Sequence, residues 1–121
     1  MRVAIPINQR DIKSEVYPSF GRAPYYLMYE TNDRTSIFLD NTAALSAGGA
    51  GIKAAQLLLD NDVKVIIAPR YGENAAKVLA DANVVVYKNI VGSAEDNIKA
   101  YENKELNVLA DIHSGHHSNG K

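Results

Sequence analysis

No cysteine occurs in the 121 residues. Disulfides, cysteine-ligated zinc, cysteine-ligated iron–sulfur clusters and thiolate nucleophiles are excluded together, though a metal or cluster held by other ligands is not. Charge of one sign is also missing. The formal net charge is −1 with histidine neutral. There is no basic excess to draw nucleic acid or an anionic membrane, and the acids form no tail. Long apolar runs are lacking as well. The N-terminal run, Val3 to Ile7, is too short for the core of a signal peptide. Nothing approaches the roughly 18 apolar residues of a membrane span. The expectation is a cytoplasmic protein that partners neither membrane nor nucleic acid, and the missing thiols fit a reducing compartment.

What is present suits one ordinary globular domain: 46% hydrophobic and 22% charged residues. Val3–Ile7 reads as a strand apolar on both faces, with Pro6 near its end because proline cannot donate to a ladder. Residues 8–19 read as a long polar loop. Tyr25–Glu30 and Thr35–Leu39 read as two strands joined through the turn residues Thr31, Asn32 and Asp33. GIKAAQLLLDND predicts a helix with Ile52, Ala55, Gln56 and Leu59 on its inner face and Leu58 beside it. VKVIIA, residues 63–68, is β-branched and apolar, as in a buried central strand. Residues 73–80 predict a short helix with Ala76, Leu79 and Ala80 inward. Residues 84–87 predict a strand. Ser93 opens a third helix as its N-cap, with Asp96 in the capping-box position and Ile98 and Tyr101 inward.

Three strands followed by a strand–helix alternation predict a mixed five-stranded α/β sheet with helices on its faces. The strand at Val65 should run parallel to the first, and the strand from Tyr25 antiparallel to it. No repeat or linker divides the chain. Residues 1–109 are expected to form the domain, and 110–121, polar and rich in Gly and Ser, a flexible tail.

Four segments could carry chemistry. In FGRAPYY, residues 20–26, Gly21 can take a conformation closed to other residues and Pro24 stiffens the chain. Arg22 would then be presented toward an anion. The plainer reading is a strand start that places Phe20 and Tyr25 in the core. SAGGAGIKAA, residues 46–55, puts Gly48, Gly49 and Gly51 before a helix, where free amides attract anions. It is no dinucleotide fingerprint, because the preceding strand ends too far upstream and no acid closes the next one. Nor is it a P-loop, since no Gly-Lys-Ser or Gly-Lys-Thr follows. Otherwise it is a plain glycine-rich loop. Arg70 and Gly72 follow the central strand at its carboxyl end, where ligands of open α/β sheets tend to lie. Asn8 follows the first strand in the same way, so a groove shared by Asn8, Arg70 and Gly72 and reached by Arg22 is expected. The plainer reading of residues 70–74 is an exposed turn. Finally, His113, His116 and His117 are the only histidines. They could ligate a divalent metal, or simply belong to a solvated tail.

Enzymatic chemistry finds little support. No carboxylate pair stands at a fixed spacing to act as acid and base, and the first strand lacks the acid that a two-metal nuclease of ribonuclease H type needs.

RVAIPI, FGRAPYY, the Gly-rich lead into GIKAAQLLLDNDVKVIIAPRYGENAAKVL, and GSAEDNIKAY occur in an order that resembles the dinitrogenase iron–molybdenum cofactor biosynthesis family. That family includes NifX-like proteins and the C-terminal domain of some NifB proteins, and the likeness spans Arg2 to about Tyr101. It implies a ribonuclease H-like path with sheet order 3-2-1-4-5 and no nuclease activity. It also implies a non-enzymatic carrier or accessory protein for an anionic iron–molybdenum or other metal–sulfur cluster or precursor, handled with cluster-donating or cluster-accepting proteins. Members usually carry His immediately before Phe-Gly-Arg; Ser19 stands there in this chain, a poor ligand by comparison. Asn8, Arg22, Gly48, Gly49, Gly51, Arg70 and Gly72 remain as cofactor-binding candidates, and His113, His116 and His117 as metal candidates. The alternative is a regulatory or scaffold module with no cofactor. The oligomeric state is not legible.

Overall fold

The computed structural model describes residues 1–109. The expected tail, with its three histidines, lies outside the described residues. Five strands form one sheet: β1 (Arg2–Ile7), β2 (Tyr25–Glu30), β3 (Thr35–Asp40), β4 (Val63–Ala68) and β5 (Val85–Lys88), in the order β3-β2-β1-β4-β5. β1 pairs antiparallel with β2 and parallel with β4; β2–β3 is antiparallel and β4–β5 parallel. The short turn after Glu30 permits only an antiparallel hairpin, and each helical crossover returns the chain parallel. Pro6 sits next to the end of β1. Ladder pairing with β4 stops at Ala4, two residues before it.

Helices α1 (Ala50–Asp60) and α2 (Glu73–Asp81) cover one face of the sheet and α3 (Ala94–Glu102) the other. The core is therefore two clusters separated by the sheet. One holds Ala4, Tyr26, Met28 and Ile66 beneath Ala54, Leu58, Ala75 and Leu79. The other holds Val3, Ile5, Ile7, Leu27, Val65 and Ile67 beneath Ala94 and Ile98. Strands buried on both sides read as continuous apolar runs, which is why β1 and β4 show no alternation.

Three sequence expectations need correction. The inner face of α1 is Ala50, Ala54, Ala55 and Leu58, while Ile52 and Gln56 face outward. The alanines let the helix backbone sit close on the sheet, and a face built on Ile52 would hold it off. In α2 the buried face is Ala75, Ala76 and Leu79, and Ala80, one position past Leu79, turns outward. Residues 8–19 are also more ordered than a polar loop. The Ser14 hydroxyl accepts from the amides of Asn8 and Gln9, both at 3.1 Å. Val16 bridges Ile7 and Glu15 bridges Ser93, so this segment is fastened to the start of α3.

Candidate functional site

α1 leads into β4 and α2 leads out of it. The N-termini of both helices therefore meet at the carboxyl end of the same strand. Between them and the Ser19–Arg22 turn lies a cleft of 540 Å³, within the size range of small-ligand sites. Its wall is built from Ser19–Arg22, Gly49–Ile52 and Arg70–Ala75.

Packing dictates glycine at Gly21. A Cβ there would lie 2.8 Å from the Gly51 nitrogen and 2.9 Å from its Cα. This corrects the expectation of a special conformation: Gly21 is not among the residues with positive φ. It is needed because the turn lies directly against the first turn of α1. The buried Asn41 holds this turn from behind. Its side-chain amide donates to the carbonyls of Gly21 (3.1 Å) and Ala23 (2.8 Å), and its oxygen accepts from the Ala43 amide. Asn41 is a residue that the sequence reading missed. Its signal was an Asn directly before TAAL, where it caps a short 3₁₀ turn, Thr42–Leu45. Behind Asn41, Phe20 and Tyr26 pack with centroids 5.7 Å apart. The Tyr26 hydroxyl donates to the Phe20 carbonyl, and burial raises its pKa far above the ordinary phenol value. Tyr26, not Tyr25, is the fully buried ring; Tyr25 is half-buried, with the Arg10 guanidinium 5.8 Å from its centroid.

Both helices begin without a side-chain cap. The N-cap of α1 is Gly49, at φ 70°, and that of α2 is Gly72, at φ −77°. The amides of Ala50, Gly51, Ile52, Glu73, Asn74 and Ala75 have no hydrogen-bond partner among the described residues, and all six residues line the cleft. Ala50 and Ala75 are buried, where an unpaired amide is costly and rare. Two helix dipoles add positive potential at the same place. Arg70 is exposed at the rim and has no ion pair among the described residues. Arg22 is also at the rim, but its Nη1 donates to the carbonyls of Ala44 (2.8 Å) and Ser46 (2.7 Å). It therefore straps the chain leading into α1 as well as facing the cleft. Glu73 opposes these charges from the first turn of α2.

The cleft thus gathers Arg22, Gly49, Gly51, Arg70 and Gly72 from the sequence-stated candidates. Gly48 lies just outside it, exposed. Asn8 is not in it: the Ser14 hydroxyl turns that segment toward α3, away from the expected groove. The metal candidates His113, His116 and His117 lie outside the described residues. Among the described residues, no three of His, Cys, Asp or Glu come together to hold a metal, and no helix is long and apolar enough to cross a membrane.

A family model described as "Dinitrogenase iron-molybdenum cofactor" matches residues 1–104. Among solved structures, a putative NifB protein from Thermotoga is similar, at 33% identity and a TM-score of 0.82, covering 95% of this chain and 98% of that one. The apo form of the orange protein from Desulfovibrio gigas shares the fold, at 22% identity and a TM-score of 0.85, covering 90% and 92%. So does a putative dinitrogenase from Methanocaldococcus jannaschii, at 18% identity and a TM-score of 0.70, covering 92% and 96%. No curated protein matches the chain.

Proposed function

Since the chain belongs to the dinitrogenase iron–molybdenum cofactor family, we propose that it carries an anionic metal–sulfur cluster or precursor, without catalysing a reaction on it, in the cleft between α1 and α2. The observation behind this reading is that one concavity is lined by six residues whose amides have no partner among the described residues, together with two arginines. Such a wall suits a compact anion with many acceptor atoms: amides donate to sulfide or oxide, and guanidinium supplies charge. The lining holds no thiol or imidazole, and Ser19 contributes only a hydroxyl. The cargo is held by hydrogen bonds and charge, with its metal ions already satisfied by their own ligands. Asn8 and Gly48 take no part in this reading. Ile52, 41% exposed, lines the cleft, and Leu45, 96% exposed, lies between the Ala44 and Ser46 carbonyls that Arg22 holds. They offer an apolar contact for a cluster-donating or cluster-accepting protein.

The test is anaerobic calorimetric titration with tetrathiomolybdate and with a preformed iron–molybdenum–sulfur cluster. Wild type should bind one equivalent. R22A and R70A should each bind about tenfold more weakly, as expected for the loss of one charge-assisted contact, and added salt should weaken binding further. Absence of binding in wild type would overturn the carrier reading and leave a scaffold module without cofactor. Tight uptake of zinc or nickel by His113, His116 and His117, lost on truncation after Ala110, would be a separate property of residues 110–121.

A further inference from the structure

The two edges of the sheet are finished differently. At β5, the Lys88 amide donates to the Asn107 carbonyl and the Leu109 amide to the Val86 carbonyl, both at 2.8 Å, while Val108 bridges Tyr87. Residues 107–109 therefore cover that edge. At β3 no described residue pairs with the outer side. Its six residues, TSIFLD, pair with β2 in unbroken register. They include no proline, lysine or bulge, the usual devices that keep an open edge from pairing. The Asn41 amide donates to the Pro24 carbonyl at 3.0 Å, and the Arg34 amide to the Glu30 carbonyl at 2.8 Å. By the alternation of an antiparallel ladder, the backbone groups of Thr35, Ile37 and Leu39 face β2, and those of Ser36, Phe38 and Asp40 face outward.

We propose that β3 is a homodimer interface, in which a second copy adds its own β3 antiparallel about a two-fold axis through Ile37. This register places the outward groups of Ser36 opposite those of Phe38 in the other copy. It sets Arg34 opposite Asp40, and symmetry repeats that pair at the far end. A cation stands just before the strand and an anion at its last residue, equidistant from Ile37; within one copy they pair with Glu102 (3.8 Å) and Arg10 (3.2 Å) as exposed ion pairs, so the facing copy adds a second partner to each. Ile37, 53% exposed, meets its own copy in a closely spaced pair. Phe38 of the second copy faces the small side chain of Ser36, which lines a groove of 220 Å³ with Ile12 and Ile98. A slip by one residue would turn the inward backbone groups to the partner and lose every bond. An axis through Phe38 would set Asp40 opposite Ser36 and lose both inter-copy pairs, leaving Asp40 to Arg10 and Arg34 to Glu102 of its own chain. No residue of the cleft lies on β3, so dimerisation and anion binding can be measured separately.

The experiment is sedimentation equilibrium on the full chain, with circular dichroism to check that each variant folds. Wild type should show a concentration-dependent monomer–dimer equilibrium. R34D and D40R should each weaken it by about tenfold, since each turns two attractive pairs repulsive. An equimolar mixture of the two variants should restore association, because every facing pair is again of opposite charge. As a second measurement on wild type, amide hydrogen exchange at Ser36 and Phe38 should slow as protein concentration rises. Monomeric wild type at its highest soluble concentration would overturn the proposal. So would a dimer whose Ser36 and Phe38 amides stay unprotected. Protection that is independent of concentration would assign the edge to the chain's own residues 110–121 and overturn it equally.

Discussion

The N-terminus of α3 and the N-termini of α1 and α2 face the same physical problem, the three unpartnered amides of a first turn, and meet it in opposite ways. At α3 every amide is answered. Ala94 donates to the Ser14 carbonyl (2.8 Å), Glu95 to the Ile12 carbonyl (2.9 Å) and Asp96 to the Ser93 hydroxyl (3.1 Å), while Asp96 accepts from the Ser93 amide (3.0 Å). At α1 and α2 the N-caps are glycines without side-chain oxygens, and the six amides of their first turns, on residues that line one cleft, have no partner among the described residues. The same chain that builds a full capping box leaves the other two starts bare. In the proposed function, the open helix starts are where an external acceptor would complete the structure.

The strongest way to break the comparison is to push the cleft open. Gly21→Ala puts a Cβ within 2.8–3.0 Å of backbone atoms of Gly51 and Ala50. Backbone cannot rotate aside as a side chain can, so the start of α1 must move off the turn. The expected loss is about 3 kcal/mol, the upper end of overpacking costs, measured by urea unfolding. Anion binding should fall with it, because the amides of α1 no longer face those of α2.

This glycine also marks how far the sequence could be read. The mixed sheet and its strand directions were legible, because a four-residue hairpin loop and two strand–helix crossovers leave few topologies; the strand order came only with the family resemblance, and the three-helix count followed from periodicity and Ser93. Gly21 was legible as a needed glycine but not for its reason: a close approach between residues thirty apart leaves no local mark. Arg22 and Arg70 were legible as exposed cations near glycines, yet the bonds from Arg22 to Ala44 and Ser46 depend on tertiary placement. Asn8 was misplaced because the rule about carboxyl strand ends says nothing of Ser14, six residues on, which turns the chain the other way. The face of α1 was misjudged because apolar periodicity centred it on Ile52 and Leu59, one position round from the buried Ala54, Ala55 and Leu58. Alanines, not Ile52, make the contact where a helix sits close to a sheet.

A smaller break separates glycines that share a loop. Gly49 holds φ 70° with open space around its Cβ position, whereas Gly48 has the same space and no positive φ. Gly49→Ala should cost about 1–2 kcal/mol through left-handed strain alone, and Gly48→Ala should be close to neutral. Thermal unfolding of the pair checks this. Equal effects would mean that loop crowding, not backbone conformation, selects glycine there.

At α3 the expected effect is smaller again. Ser93→Ala should cost about 1 kcal/mol by freeing the Asp96 amide, and should leave anion binding in the cleft unchanged. Hydrogen bonds from the amide and side chain of Ser93 hold the Asp96 carboxyl below its ordinary value of 3.8. A carboxyl whose folded pKa is lowered stabilises the fold fully above the unfolded value and loses that contribution as pH falls through the folded one. The stability gap between wild type and Asp96→Asn should therefore be flat near neutrality and close below about pH 4. A gap that persists well below that range would show that Asp96 acts by shape and not by charge.

The finest test makes α2 resemble α3. Gly72 has φ −77° and ψ 162°, the extended N-cap conformation that Ser93 also adopts at −76° and 170°, and a Cβ there meets nothing within 4 Å. Gly72→Asp therefore fits without strain and can accept from the amides of Asn74 or Ala75. On caps alone, replacing glycine by aspartate should stabilise the fold by only a few tenths of a kcal/mol, seen as a small rise in the urea midpoint. Its effect on binding should be opposite in sign. The new carboxylate occupies the amides that the cargo would use and adds a negative charge to a wall that already holds Glu73. A variant more stable than wild type yet weaker for tetrathiomolybdate means that the bare cap of α2 is kept for a ligand at a cost in stability. A variant that gains stability and binds as before would move the anion away from α2 and onto Arg22 and α1 alone. Gly72→Ser, which caps without charge, separates the two contributions: weakened binding in both variants points to competition for the amides, and weakened binding in the aspartate variant alone points to electrostatic repulsion.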